Sequence, residues 1–196
     1  MRADLSVIAS LVPTGARVLD LGCGDGLLLE KLASRGADGL GIEISDDGVL
    51  ACLRRGVPVL QADIDGGLDD LEDDSFDIVV LSLAIQAVHH PEFVLREMAR
   101  VARRSIVSFP NFAYWRLRTQ LAVTGRMPVS PLLPYTWYET PNIRLCSITD
   151  FEQLARAEGF HVEQRILLDE DRHPAGGVTG RAPNLLAAGA IYLLTR

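Results

Sequence analysis

Two rhythms of apolar and polar positions alternate along the first half of the chain. The runs ARVLDLG, DGLGIEI and PVLQADI are apolar enough to be strands buried on both faces. Between them, LLLEKLASRG and DDGVLACLRRG carry apolar residues at helical spacing and stop at Gly36 and Gly56, where a glycine can close a helix. A leading helix is read in DLSVIASLV, halted by Pro13 and Gly15. FDIVVLSLAI is the most apolar run and is expected at the centre of the sheet. PEFVLREMARVA follows as an amphipathic helix with Pro91 at its start, where a missing N–H costs nothing.

After the fifth strand, RRSIVSFPN, this rhythm breaks. The segment 112–145 holds two tryptophans and three tyrosines among several prolines, with only a short helical pattern around WRLRTQLAV. The alternation returns with TDFEQLARAEGF, a helix capped by Thr149 or Asp150, and with HVEQRILLD as a strand. The glycine-rich HPAGGVTGRAPN then leads to a last strand, AAGAIYLLTR. Strand, loop and strand with no helix between them predict an antiparallel final pair. The expectation is an α/β fold: a doubly wound, mostly parallel seven-stranded sheet with an antiparallel last strand, forming a single domain over 1–196.

Composition narrows the chemistry. The 196 residues carry a net charge of -7, and the cations are scattered among acids, which excludes a phosphate-tracking nucleic-acid surface. Cys23, Cys52 and Cys146 lie too far apart in sequence for a paired metal motif or a disulfide framework, so no metal is expected and a reducing, cytoplasmic setting is. No apolar run approaches the ~20 residues of a membrane span, and the first residues lack a signal-peptide pattern. The expectation is a protein that meets neither membrane nor nucleic acid.

The candidate chemistry lies in VLDLGCGDGLLLEKL. Gly22, Gly24 and Gly26 remove side chains directly behind a strand, so that a ligand can approach the backbone where a helix begins. Their spacing is G-x-G-x-G, with Leu27 where the dinucleotide fingerprint requires a third glycine, which argues against a nicotinamide cofactor. Taken alone, such a turn is equally well a tight structural feature. Glu43 closes the second strand at the distance from the turn where an acid meets ribose hydroxyls, and Asp63 follows the third strand, placed to accept from an exocyclic amine. Asp20 ends the first strand and can orient an ammonium group or brace the turn. S-adenosylmethionine carries these groups and no pyrophosphate.

DLGCGDG, GIEI, QADI and FDIVVLS resemble the successive motifs of class I S-adenosylmethionine-dependent methyltransferases, a Rossmann-like superfamily, over nearly the whole chain. More narrowly, VLDLGCGDGLLLEKL, SLAIQAVHHPEFVLREMARV, SFPNFAYWRLR and PNLLAAGAIYLL resemble the methionine-biosynthesis MetW family. The resemblance implies S-adenosylmethionine or S-adenosylhomocysteine as cofactor. Asp20 and the turn Gly22, Cys23, Gly24, Asp25 and Gly26 would line its methionine end, Glu43 and Ile44 its ribose side, and Asp63 and Ile64 its adenine, with Ser82 or Leu83 closing the site below. It also implies a role beside a homoserine O-acyltransferase of the MetX type, as partner or activator.

Whether a methyl group is transferred stays open at this stage. His89 and His90 follow the central strand at the rim where an acceptor would sit, and serve equally well as helix caps or solvent-facing residues. Asn111 and Tyr114 are the other catalytic candidates, though Asn111 can instead hold the turn that launches the insert. No amino-group methylation motif of the Asn-Pro-Pro-Tyr type is present. Phe112, Tyr114, Trp115, Trp137 and Tyr138, with Arg116 and Arg118, supply anchors of the kind that protein interfaces favour, or form a lid over the domain's own cleft. An active small-molecule methyltransferase is thus the alternative to a cofactor-binding partner protein.

Overall fold

A computed structural model describes residues 2–196. Seven strands form one sheet: β1 (Arg17–Leu21), β2 (Asp38–Glu43), β3 (Val59–Gln61), β4 (Phe76–Ser82), β5 (Ala102–Pro110), β6 (His161–Leu168) and β7 (Gly189–Thr195). Their spatial order is β3-β2-β1-β4-β5-β7-β6. β1 pairs in parallel with β2 and β4, β2 with β3, and β4 with β5, while β7 runs antiparallel to both β5 and β6. The expected doubly wound sheet with a reversed last strand is therefore observed. FDIVVLS occupies the middle position expected of it.

The helices are α1 (Ala3–Leu11), α2 (Leu27–Ala33), α3 (Asp46–Arg54), α4 (Pro91–Val101), α5 (Trp115–Thr124), α6 (Ile148–Ala157) and the single turn α7 (Pro183–Leu186). Because side chains alternate across a strand, neighbouring residues feed two separate cores. Val18, Ile78, Val80 and Ile106 meet Ile8 of α1 and Leu28, Leu29 and Leu32 of α2. Leu19, Leu21, Val79, Leu81 and Val107 meet Leu95 and Met98 of α4 and Phe151 of α6 on the other face. There Phe109, Phe151 and Tyr192 form a buried aromatic trio, with ring centroids 4.6, 4.9 and 5.9 Å apart.

Local details depart from the sequence reading. β3 keeps only three residues of PVLQADI before Asp63 caps a short 3-10 turn, because nothing pairs with its outer edge. Helix α6 is capped by Ser147, not Thr149 or Asp150. The Ser147 hydroxyl accepts from the Asp150 N–H, and the Asp150 carboxylate accepts from Ser147 in return. β4 ends at Ser82, one residue before Leu83, which sits at φ +57°. At the far edge, β6 is largely solvent-facing, carries Glu163 and Arg165, and slips register between Val162 and Gln164. Among the described residues no helix is long and apolar enough to cross a membrane.

Candidate functional site

The strand order reverses between β1 and β4, so the chain departs in opposite directions from their carboxyl ends and leaves a crevice there. The turn 22–26 enters it from β1. Its first two N–H groups, of Gly22 and Cys23, donate to the Ile42 carbonyl at 2.8 and 3.1 Å, which ties the turn to β2. Gly24 lies at φ +58°, and a Cβ there would point into open space, so the position needs glycine for its backbone and leaves room for a ligand.

Glu43, at the end of β2, is almost fully buried and serves as the brace of this turn. One oxygen accepts from the Gly24 N–H at 2.8 Å and the other from the Ser45 N–H at 2.9 Å. A carboxylate has about four acceptor sites, so two remain for ligand hydroxyls. Gly48 makes this placement possible: a Cβ on it would lie 2.6 Å from the Glu43 Cγ. Sequence reading missed Gly48, although a glycine in the first turn of a helix is a signal of close approach.

Asp20 is the buried charge of the site, only 3 % exposed. Burial pushes its carboxyl up to about 7; Arg2 works against that rise and Glu43 adds to it. Asp20 is a ready acceptor for a cationic group.

From the other side, Asp63, Ile64 and Asp65 follow β3, and Ala84, Ala87, Val88 and His89 follow β4. With Gly22, Glu43 and Ile44 they enclose a cavity of about 210 Å³. Six of the sequence-derived candidates, Gly22, Glu43, Ile44, Asp63, Ile64 and His89, thus converge on one cleft. The flanking Ile44 and Ile64 suit a flat ring, Asp63 stands where an amine can donate, and Glu43 where hydroxyls can.

The remaining candidates have other placements. Cys23 turns toward Cys52, with the two sulfurs 3.7 Å apart, and burial raises both thiols above their ordinary range. Asp25 is paired with Arg55 at 2.9 Å on the surface, and Gly26 hands the chain to α2. The Ser82 hydroxyl accepts from Arg2 at 2.9 Å and lies 3.2 Å from the Ser108 hydroxyl, so the end of β4 is bridged to the start of α1. Asn111 is fully buried. Its amide nitrogen donates to the carbonyls of Asn184 and Ala187, and its oxygen accepts from the Ala113 N–H at 3.1 Å. Tyr114 immediately precedes α5, and burial together with the nearby Glu170 raises its hydroxyl. His90 precedes α4 with its carbonyl accepting from Phe93 and Val94.

Asp65 was absent from the sequence-derived candidates and is central here. Its carboxylate accepts from the His89 N–H at 2.9 Å and the His90 N–H at 3.0 Å, and lies 3.1 Å from the His89 Nδ1. Burial alone would raise this carboxyl; the two N–H groups and the His89 ring outweigh it and hold Asp65 below the usual carboxylate range. The signal in sequence was the second acid of the D-x-D after β3, two residues beyond the candidate Asp63.

Comparison with known families decides the placement. Residues 2–194 match the family described as methionine biosynthesis protein MetW. The chain belongs to the MetW family. The bifunctional methionine biosynthesis protein MetXA/MetW of Rhodopirellula baltica is 35% identical over 182 residues, covering 88% of this chain and 29% of that protein. The chain therefore spans less than a third of that relative. The fold agrees with an S-adenosylmethionine-dependent methyltransferase from Mesorhizobium loti, at a TM-score of 0.73 and 18% identity over 99% of this chain and 98% of that one. The magnesium protoporphyrin IX methyltransferase of Synechocystis, crystallised with bound S-adenosylhomocysteine, overlays with a TM-score of 0.69 at 18% identity, covering 98% of this chain and 81% of that one. This MetW-family chain thus has the class I methyltransferase architecture, with its crevice where that architecture predicts a ligand.

Proposed function

We propose that the chain binds S-adenosylmethionine in this cleft and supports a homoserine O-acyltransferase of the MetX type, as one domain in which the segment 112–145 meets the partner. The observation that carries the cofactor reading is the convergence of Glu43, Asp63 and Gly22 of the glycine turn around one cavity of about 210 Å³, together with the buried carboxyl of Asp20 two residues before Gly22. Glu43 would take the ribose hydroxyls, Asp63 with Ile64 the adenine, and Asp20 the ammonium of the methionine end. When bound, the sulfonium would supply an activated methyl group.

The partner reading is supported by the relative whose name joins MetXA to MetW. Fusion holds two domains at high effective concentration, which helps only if they act together. Non-catalytic use of the cleft is supported by two placements. Arg2 and Ser108 hold the Ser82 hydroxyl at the end of β4, and the Asn111 amide is spent on backbone groups. Neither Asn111 nor Tyr114 lines the cleft.

The test measures homoserine acylation by the acyltransferase of the same organism, with and without this chain, while S-adenosylmethionine is titrated and S-adenosylhomocysteine is monitored. Faster acylation without the demethylated product is the expected result. No stimulation, with product formed once a metabolite extract is added, would instead establish a small-molecule methyltransferase.

A further inference from the structure

The turn between β4 and α4, residues 83–90, has two sides. One side, through Ala84, Ala87, Val88 and His89, lines the cleft. The other holds the end of the aromatic insert: the Gln86 carbonyl accepts from the N–H groups of Ile143 and Arg144, both at 2.9 Å. The Arg144 guanidinium donates twice more to the His89 carbonyl, at 3.2 and 2.7 Å. His89 is in turn clasped by Asp65 from the adenine side. A continuous set of bonds therefore runs from the cleft wall to the last residues of the insert.

Two features show that this turn is held away from its own preferred state. Leu83, its first residue, occupies the left-handed region at φ +57°, where a Cβ crowds the following carbonyl. The Gln86 Oε1 is buried and, among the described residues, has no hydrogen-bond partner. A buried acceptor without a partner keeps the cost of its lost hydration. Relief of either feature when the cleft is filled would give the turn two arrangements of different energy, as a coupling element requires.

We infer that the turn 83–90 passes occupancy of the cleft to the insert, through the Gln86 and His89 carbonyls that hold Ile143 and Arg144. The inference rests on the proposed binding of S-adenosyl ligands and adds the route by which that binding is reported. A ligand seated against Ala84, Val88 and His89 fixes those carbonyls and tightens their grip on Ile143 and Arg144. By reciprocity, whatever fixes the insert tightens the ligand by the same factor.

The experiment is hydrogen–deuterium exchange on the full chain, with and without saturating S-adenosylhomocysteine, alongside calorimetry of its binding. Exchange at Ile143 and Arg144 is expected to slow by about fivefold or more on binding, the lower end of typical coupling. In Arg144→Ala, whose side chain lies outside the cleft and whose backbone N–H keeps its bond to the Gln86 carbonyl, the ligand should still bind while the slowing is reduced to the share that Gln86 alone carries; an unchanged melting midpoint checks that the variant is folded. Binding without slowing in the wild-type chain, or full slowing in Arg144→Ala, overturns the inference and leaves the cofactor reading standing. Absence of binding to the wild-type chain overturns the cofactor reading, and this inference with it.

Discussion

The glycine-turn cleft and the aromatic insert are built in opposite ways. In the cleft, polar groups are placed by backbone: Glu43 is pinned by two N–H groups, Asp65 by two more, and the turn by the Ile42 carbonyl. In the insert, large apolar side chains face water, with Trp137 72% and Tyr138 68% exposed and packed edge to face at 5.6 Å. Leu117, Pro128, Leu132 and Leu133 tuck in. The cleft is ordered around its polar groups, and the insert leaves apolar surface exposed. Exposed Trp and Tyr carry the most binding energy when a partner covers them.

The comparison breaks most completely where both regions share support. Phe151→Ala removes the middle of the aromatic trio beneath α6, the helix that follows the insert, and is expected to cost about 3–5 kcal/mol of stability. Chemical denaturation reads this directly, and both ligand binding and partner stimulation should fall with it. Gly24→Val should separate the two regions. It places a β-branched side chain at φ +58° in the ligand's approach, and S-adenosylhomocysteine affinity should fall by about a hundredfold or more in calorimetry. Unchanged affinity would remove the ligand from this turn.

The reverse separation is Trp137→Ala with Tyr138→Ala. Stimulation of the acyltransferase should drop about tenfold or more, while ligand affinity and melting midpoint stay as they were. A loss of ligand affinity instead would turn this region into a lid. The smallest effect is a proton. With the Asp20 carboxyl near 7 in the empty cleft, a ligand ammonium beside it lowers that value, so binding at pH 6 should release close to one proton and above pH 8 almost none. Calorimetry in buffers of different ionisation enthalpy reads the number. In the unliganded protein the same raised carboxyl works the other way: the folded state holds the proton more tightly than the unfolded one, so stability declines as pH climbs from about 4 to 7. Asp20→Asn should flatten that decline.

The sheet was legible because a period of two and a period of 3.6 are local properties, and each strand from ARVLDLG to AAGAIYLLTR announced itself within a few residues. The cleft's wall was half legible. Glu43 and Asp63 could be placed by counting from the turn, yet Gly48 matters only because of where Glu43 points. Arg144 reaches His89 across 55 residues of chain, and no periodicity records such a meeting. Ser147 escaped for a different reason: Thr149 and Asp150 are also good caps, and only the reciprocal bond between Ser147 and Asp150 decides among them.

The register slip in β6 has a consequence for how this protein lives among its own copies. An outermost strand with free N–H and C=O groups is a template for another chain. Here one such strand is bent by the slip and carries Glu163 and Arg165, while the opposite border, β3, is three residues long. Strands that are short, bent or charged resist edge-to-edge aggregation. Both borders of the sheet therefore discourage fibrous self-association, so the exposed aromatic surface of the insert does not lie beside an open strand edge that would recruit copies of the chain.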